Sequence, residues 1–303
     1  MDTVFRGVGE HHNVLVRFAP VVKVETRRTL GEGVRRKMIS SPILHTIAAG
    51  FLSVSSLMCC LWLIHLALKN AGVVDIGWGL GFIILSGLYF FNGVGFNLRN
   101  SMCYTMVVLW GLRISLFLIK RTFTEGREDQ RYQKMRREWG KHISLKFLFF
   151  FEFQAVLESI IGVPFLIIGF NHLPGISAWE VSGAVIFGVA LIAETVADEQ
   201  LHHFKTLPSN KGKVCDKGLW RYSRHPNYFF EWLVWVGFFI YALGSPGGWI
   251  SIISPAVMYI LLVYVSGVPL AEEQSLKSRG EEYLKYRRST SMFFPWPVKR
   301  MGI

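Results

Sequence analysis

The residues best suited to chemistry lie in one stretch, GLWRYSRHPNYFFE, at residues 218–231. Two arginines, a histidine, an asparagine and a glutamate stand there at the start of an apolar run. Pro226 suits the first turn of a helix, where a missing N–H leaves nothing unsatisfied. Arg221, Arg224 and His225 then flank the positive N-terminal end of that helix. The helix dipole gives cations no benefit there, so an anion is the reason to collect them. Asn227 and Glu231 are spaced i, i+4 and share one helix face. A glutamate inside an apolar segment is costly without a partner. The stretch therefore points to an anionic ligand, a phosphate-bearing nucleotide, held at the mouth of a membrane helix, with Tyr222 and Tyr228 beside it. A basic anchor for lipid headgroups accounts for the same charges.

Further ionisable residues sit inside apolar runs: Asp75, Arg113, Glu152, Glu158 and Glu194. Such residues mark a polar cavity in a membrane protein. Asp75 and Arg113 fall near the same membrane end and are expected to pair. Arg113 snorkelling to the surface and Asp75 capping a helix are the plainer alternatives. Gln154 and Glu158 share a face that reaches toward the midplane. Glu194 and Asp198 also share a face, suited to a ribose hydroxyl, a base amino group or a helix-end salt bridge. The loop from Lys205 to Arg224, with Arg131 from the preceding basic loop, supplies further cations for phosphate. Tyr283 and Tyr286, spaced i, i+3, suit the cover of a nucleotide; an amphipathic helix lying at the interface explains them equally. His202 and His203 are adjacent and diverge on a helix, so no metal site is expected.

These residues need elements to position them. The 303-residue chain is 51% hydrophobic and 18% charged, with mean hydropathy +0.34. Soluble domains carry about 25% charged residues. Apolar runs long enough to cross a bilayer make this an all-α polytopic membrane protein. Seven spans are expected, at 43–68, 72–91, 101–120, 147–170, 177–197, 228–243 and 248–267, followed by a C-terminal interfacial helix. GSPGG at 244–248 predicts a tight turn between the last two. The net charge of +12 comes with no nucleic-acid-binding motif, so nucleic acid is not an expected partner. The loops 121–146 and 198–227 and the tail from 268 all carry more Lys and Arg than acids, which places them together in the cytoplasm. Residues 1–42 read as a polar, basic, flexible leader without a secretory h-region. A single domain, 43–303, follows. The four cysteines lack disulfide or metal spacing.

The strings now assembled resemble the steroid 5-alpha-reductase-like family of membrane proteins, and most closely its uncharacterised branch. The likeness rests on RYSRHPNY at 221–228 with Glu231, VDIGW at 74–78, LWGLR at 109–113, Glu128-Asp129 with Arg131-Tyr132, SGVPLAEE at 266–273 and STSMFFPWP at 289–297. It covers roughly residues 72–300. The resemblance implies a seven-helix NADPH-dependent reductase of a carbon–carbon double bond beside a ketone. By the same resemblance Asp198, Asn227, Glu231 and Tyr283 match cofactor-binding positions, and Arg221 and Arg224 would hold phosphates. The steroid enzymes' span-three tyrosine falls near Leu118 here, and span two offers Asp75 but no Gln-Glu pair, so steroid specificity does not carry over. The Arg-His-Pro-x-Tyr string is also similar to membrane methyltransferases that use S-adenosylmethionine.

The expected function is reduction of an activated C=C bond in a lipophilic, lipid-like substrate, in the endoplasmic reticulum membrane, with the C-terminus cytoplasmic. Glu158, Asp75 and Tyr104 are the candidate proton donors. Arg113, Arg131, Lys205, Arg221, Tyr222, Arg224, His225, Tyr228 and Tyr286 join Asp198, Asn227, Glu231 and Tyr283 as the cofactor-binding set. The alternatives are an S-adenosylmethionine-dependent methyltransferase and a non-catalytic lipid-binding protein. Membrane lipids are partners in each case; oligomeric state is left open. A tag after Ile303 in sealed microsomes should be digested by external protease; a protected tag overturns the cytoplasmic tail.

Overall fold

A computed structural model describes residues 25–125 and 128–298, with side chains described for 42–120 and 128–298. Contacts divide the chain between Ser41 and Pro42. In the first unit residues 25–41 are helical, within the stretch expected to be a flexible leader; residues 1–24 lie outside the described residues. Everything below concerns the second unit.

The order of helices is α1 (Glu25–Leu68), α2 (Val73–Asn92), α3 (Leu98–Glu125), α4 (Gln130–Trp139), α5 (Ile143–Ile161), α6 (Val163–Gly169), α7 (Ala178–Thr206), α8 (Pro226–Ala242), α9 (Ile253–Ile260) and α10 (Val268–Ser289). Among the described residues the fold is all-α. Five helical stretches are long and apolar enough to cross a membrane, Pro42–Leu68, Val73–Asn92, Leu98–Lys120, Ala178–Thr206 and Gly248–Ser289, the last running through α9 into α10; a bent pair, α5 with α6, makes a sixth. Seven spans were expected. The seventh is α8, which at 17 residues is about 25 Å long at ~1.5 Å per residue. That falls short of a hydrocarbon core of roughly 30 Å.

The expected fourth span is broken. Gly162 and Pro164 follow one another closely, and the two halves meet at 46°. Proline removes a backbone donor and clashes with the preceding turn. The carbonyl of Ile161 is left to an outside donor, and the buried hydroxyl of Ser254 supplies it at 2.6 Å. The GSPGG segment forms the expected tight turn: Ser245 N–H donates to the Ala242 carbonyl at 2.9 Å, and Gly247 adopts φ 76°.

Lipid is as apolar as a leucine side chain, so helices in a bilayer associate through close fit and polar pairing. Two glycine contacts provide the fit. A Cβ at Gly183 on α7 would lie 2.4 Å from the Tyr241 nitrogen, and one at Gly237 on α8 would lie 2.9 Å from the Phe187 nitrogen. Gly79 on α2 and Gly111 on α3 approach in the same reciprocal way. Between these seams Phe82, Trp110, Phe165, Trp235 and Phe238 fill the centre with buried rings. Gly237→Leu must push α8 off α7. It should cost at least ~1–3 kcal/mol, as overpacking does, and lower the melting temperature in detergent. An unchanged melt would show that the seam is loose.

Candidate functional site

Three helices deliver a polar cluster to one end of the bundle. α3 contributes Trp110 and Arg113, α7 contributes Glu194 and Asp198, and α8 contributes Asn227, Glu231 and Trp235. Each set is spaced by three or four residues, so each lies along one helix face. Arg113 is the hub. One guanidinium nitrogen lies 2.6 Å from Glu194 Oε1 and the other 2.6 Å from Asp198 Oδ2. Asn227 Nδ2 donates to the second Asp198 oxygen at 3.2 Å. Glu231 has no cation within ion-pair distance among the described residues. Its two oxygens accept from the indole N–H groups of Trp110 at 2.9 Å and Trp235 at 3.0 Å.

Exposure is graded across the cluster. The side chains of Arg113 and Asp198 are 19% and 18% accessible, and Glu194 and Glu231 are buried behind them. Among the described residues two acceptors in this cluster have no hydrogen-bond partner: Glu194 Oε2 and Asn227 Oδ1. The cluster is accessible at Arg113 and Asp198, and its two unpartnered acceptor atoms are buried. Three carboxylates face one guanidinium, an excess of acceptor charge.

Asp75 does not pair with Arg113, contrary to the sequence expectation. Asp75 lies in the first turn of α2 and faces α4, whereas Arg113 faces α7. The Asp75 carboxylate accepts from Arg131 at 2.8 Å and from the Tyr132 hydroxyl at 2.6 Å. Burial and the adjacent Asp75 raise the Tyr132 hydroxyl well above its ordinary range and keep it a donor. Asp129 caps α4 and also holds Arg131 at 3.0 Å, while Glu128 accepts from Arg136 at 2.8 Å. Asp75 and Arg131 thus fasten the α4 loop onto α2.

Arg224 and His225 are buried and turned toward the tail. Arg224 pairs with Glu272 at 2.6 Å and donates to the carbonyls of Arg287 and Thr290. His225 Nε2 lies 3.5 Å from the same carboxylate, and burial holds the imidazole below its ordinary range. Tyr228 stacks on His225 with centroids 5.5 Å apart. Tyr286 donates its hydroxyl to the Trp220 carbonyl, and its ring lies 6.0 Å from that of buried Tyr283. Tyr222, Arg221 and Lys205 are exposed at the same end of the bundle.

Two of the candidate proton donors lie elsewhere in the bundle. Tyr104 packs between Phe90 and Phe96, nine residues and more than two turns before Arg113 on α3. Glu158 on α5 is 0% exposed, and among the described residues neither carboxylate oxygen has a hydrogen-bond partner. Its Oε2 stands 1.8 Å from where a Cβ on Gly81 would be, so only glycine leaves room for it on α2. The next residue, Phe82, lies 5.6 Å from Trp110 and 4.8 Å from Trp235. Glu158 therefore packs against α2 at Gly81, one residue before Phe82. Sequence reasoning missed the two tryptophans as partners of that glutamate. Their spacing, Trp110 three before Arg113 and Trp235 four after Glu231, was the available signal.

The Arg224–Glu272 pair yields a direct test. Glu272→Ala leaves a buried guanidinium without its carboxylate and should cost about 3–5 kcal/mol in a denaturation experiment. Adding Arg224→Met should recover part of that loss. A double variant as unstable as the sum of the single ones would show that the pair does not interact.

Residues 61–290 match the family model described as "Protein of unknown function (DUF1295)". The chain is also similar to "Uncharacterized protein C594.04c" of Schizosaccharomyces pombe (strain 972 / ATCC 24843), with 24% identity over 260 residues, 78% of this chain and 75% of the relative. No solved structure matches. The matched region runs from α1 to the last turn of α10 and includes every residue of the polar cluster, and on that match the chain belongs to the DUF1295 family.

Proposed function

We propose that this protein is a membrane-embedded, NADPH-dependent reductase of an activated C=C bond in a lipid-like substrate. The convergence of Arg113, Asp198, Asn227 and Glu231 carries the reading. Asp198, Asn227 and Glu231 are the positions that the resemblance to steroid 5-alpha-reductase-like proteins assigns to the cofactor. They come from two helices and meet Arg113 from a third at an opening, with acceptors left over. Asp198, Glu194 and the Asn227 carbonyl suit ribose hydroxyls or an amide N–H₂. Phosphates need cations outside this cluster. Arg224 is engaged by Glu272, and exposed Arg221 is the phosphate-facing residue.

NADPH, when bound, supplies a hydride to one alkene carbon; a proton completes the other. The chain must provide that proton and stabilise the developing enolate oxygen. Of the three donors proposed from sequence, Asp75 is tied to Arg131 and Tyr132, and Tyr104 lies among phenylalanines. Glu158 has a buried carboxyl, unpartnered among the described residues, against Gly81 of α2, and it takes the role of acid. Its complete burial excludes water from it.

A second reading has its own observation. Three carboxylates around one arginine suit a cationic ligand, and S-adenosylmethionine carries a sulfonium and an ammonium group. Thermal stabilisation of the purified full chain separates the two. NADPH should raise the melting temperature and S-adenosylmethionine should not. Asn227→Ala should weaken NADPH binding roughly threefold to tenfold, the worth of one neutral hydrogen bond. Glu158→Gln should leave that binding intact and abolish turnover. Stabilisation by S-adenosylmethionine alone would transfer the site to the methyltransferase reading.

A further inference from the structure

The tail forms a second concave surface that the cluster on α3, α7 and α8 does not use. After α10 the chain turns back along the start of α8. Arg224 N–H donates to the Ser291 carbonyl at 2.8 Å, Ser223 Oγ to the Phe293 carbonyl at 2.8 Å, and Trp296 N–H to the Tyr222 carbonyl at 2.9 Å. Between this strap and the last turn of α10 lies a groove of about 300 Å³. Arg224, Arg287 and Arg288 line it with the strap residues, and no carboxylate does. Glu272 lies behind the wall, 2.6 Å from Arg224 and 3.5 Å from Arg287. Arg288 is exposed, and among the described residues no ion pair involves it.

The rim of the groove is apolar. Met292 and Trp296 line it and are exposed, and Phe294 is exposed between them in the strap. Phe294 lies 5.7 Å from Trp232 on α8 and 6.3 Å from Tyr259 on α9, so the strap is seated on apolar membrane helices. Tryptophan concentrates where a bilayer meets water, and arginine forks match phosphate oxygens with two parallel hydrogen bonds. A zwitterionic headgroup would bring its own ammonium against Arg287 and Arg288. We propose that this groove binds the phosphate of an anionic phospholipid headgroup, with Trp296 and Phe294 against its acyl chains. The basic wall gives the lipid preference, and the aromatic rim gives the depth.

Native mass spectrometry of the full chain, released from bilayers of phosphatidylcholine with phosphatidylglycerol, tests this. Wild-type protein should retain phosphatidylglycerol in preference to phosphatidylcholine. Arg288→Glu alters an exposed residue and leaves the Arg224–Glu272 pair in place, so its melt in phosphatidylcholine should match wild type. It should lose retained phosphatidylglycerol by at least about tenfold, the worth of one charge-assisted contact. Trp296→Ala should reduce retention through the rim alone. Equal retention by wild type and Arg288→Glu overturns the proposal. Displacement of the bound lipid by NADPH or by inorganic pyrophosphate also overturns it, and makes the groove a nucleotide phosphate site.

Discussion

The site depends on one guanidinium. Arg113 stands well inside an apolar helix, where an unpaired charge is not tolerated. Glu194 and Asp198, one turn apart on α7, take one side of the guanidinium each. The arrangement fixes α3 against α7 in register, because moving either helix by a turn would break both contacts. Asn227 then attaches the first turn of α8 to Asp198. Glu231 is placed by the same register, one turn deeper, where two indoles satisfy it without a counter-cation.

Elsewhere in the bundle, polar pairing serves the scaffold. At the opposite end Arg99 is buried and paired with Glu180, and it also donates to the carbonyls of Leu173 and Gly175 at 2.8 and 2.5 Å. Tyr241 returns its hydroxyl to the Arg99 carbonyl at 2.9 Å. At the site end Asp75 holds α4, and Glu272 holds the tail through Arg224. Lipid supplies no hydrophobic force between helices. Paired charges at both ends and glycine contacts between them do that work here.

The RHPNY string at 224–228 divides between these two tasks. Arg224 and His225 precede α8 and turn to Glu272, so they seat the tail. Asn227 stands on the first turn of α8 and turns to Asp198. Pro226 begins the helix between them and separates the two directions. A chemistry-bearing string is therefore half scaffold and half site, and the cations left for an anionic ligand lie in the exposed segment before it and in the tail.

Sequence alone determined the class of fold and most of the cluster. Apolar runs near bilayer length permit only helices, because backbone groups in lipid must be satisfied within the segment. The i, i+4 spacing of Asn227 with Glu231 and of Glu194 with Asp198 put each pair on one face before any fold was known. Spacing says nothing of what a face meets. Tertiary structure decided that Arg113 turns to α7 and Asp75 to α4, that Arg224 is consumed by Glu272, and that Trp110 and Trp235 serve Glu231. It decided as well that Gly81 on α2 makes room for Glu158 on α5. Each is a contact between residues 48 or more apart in the chain, save Trp235 with Glu231, and pairing at that range is set by helix register and crossing. Periodicity within one helix carries no record of either.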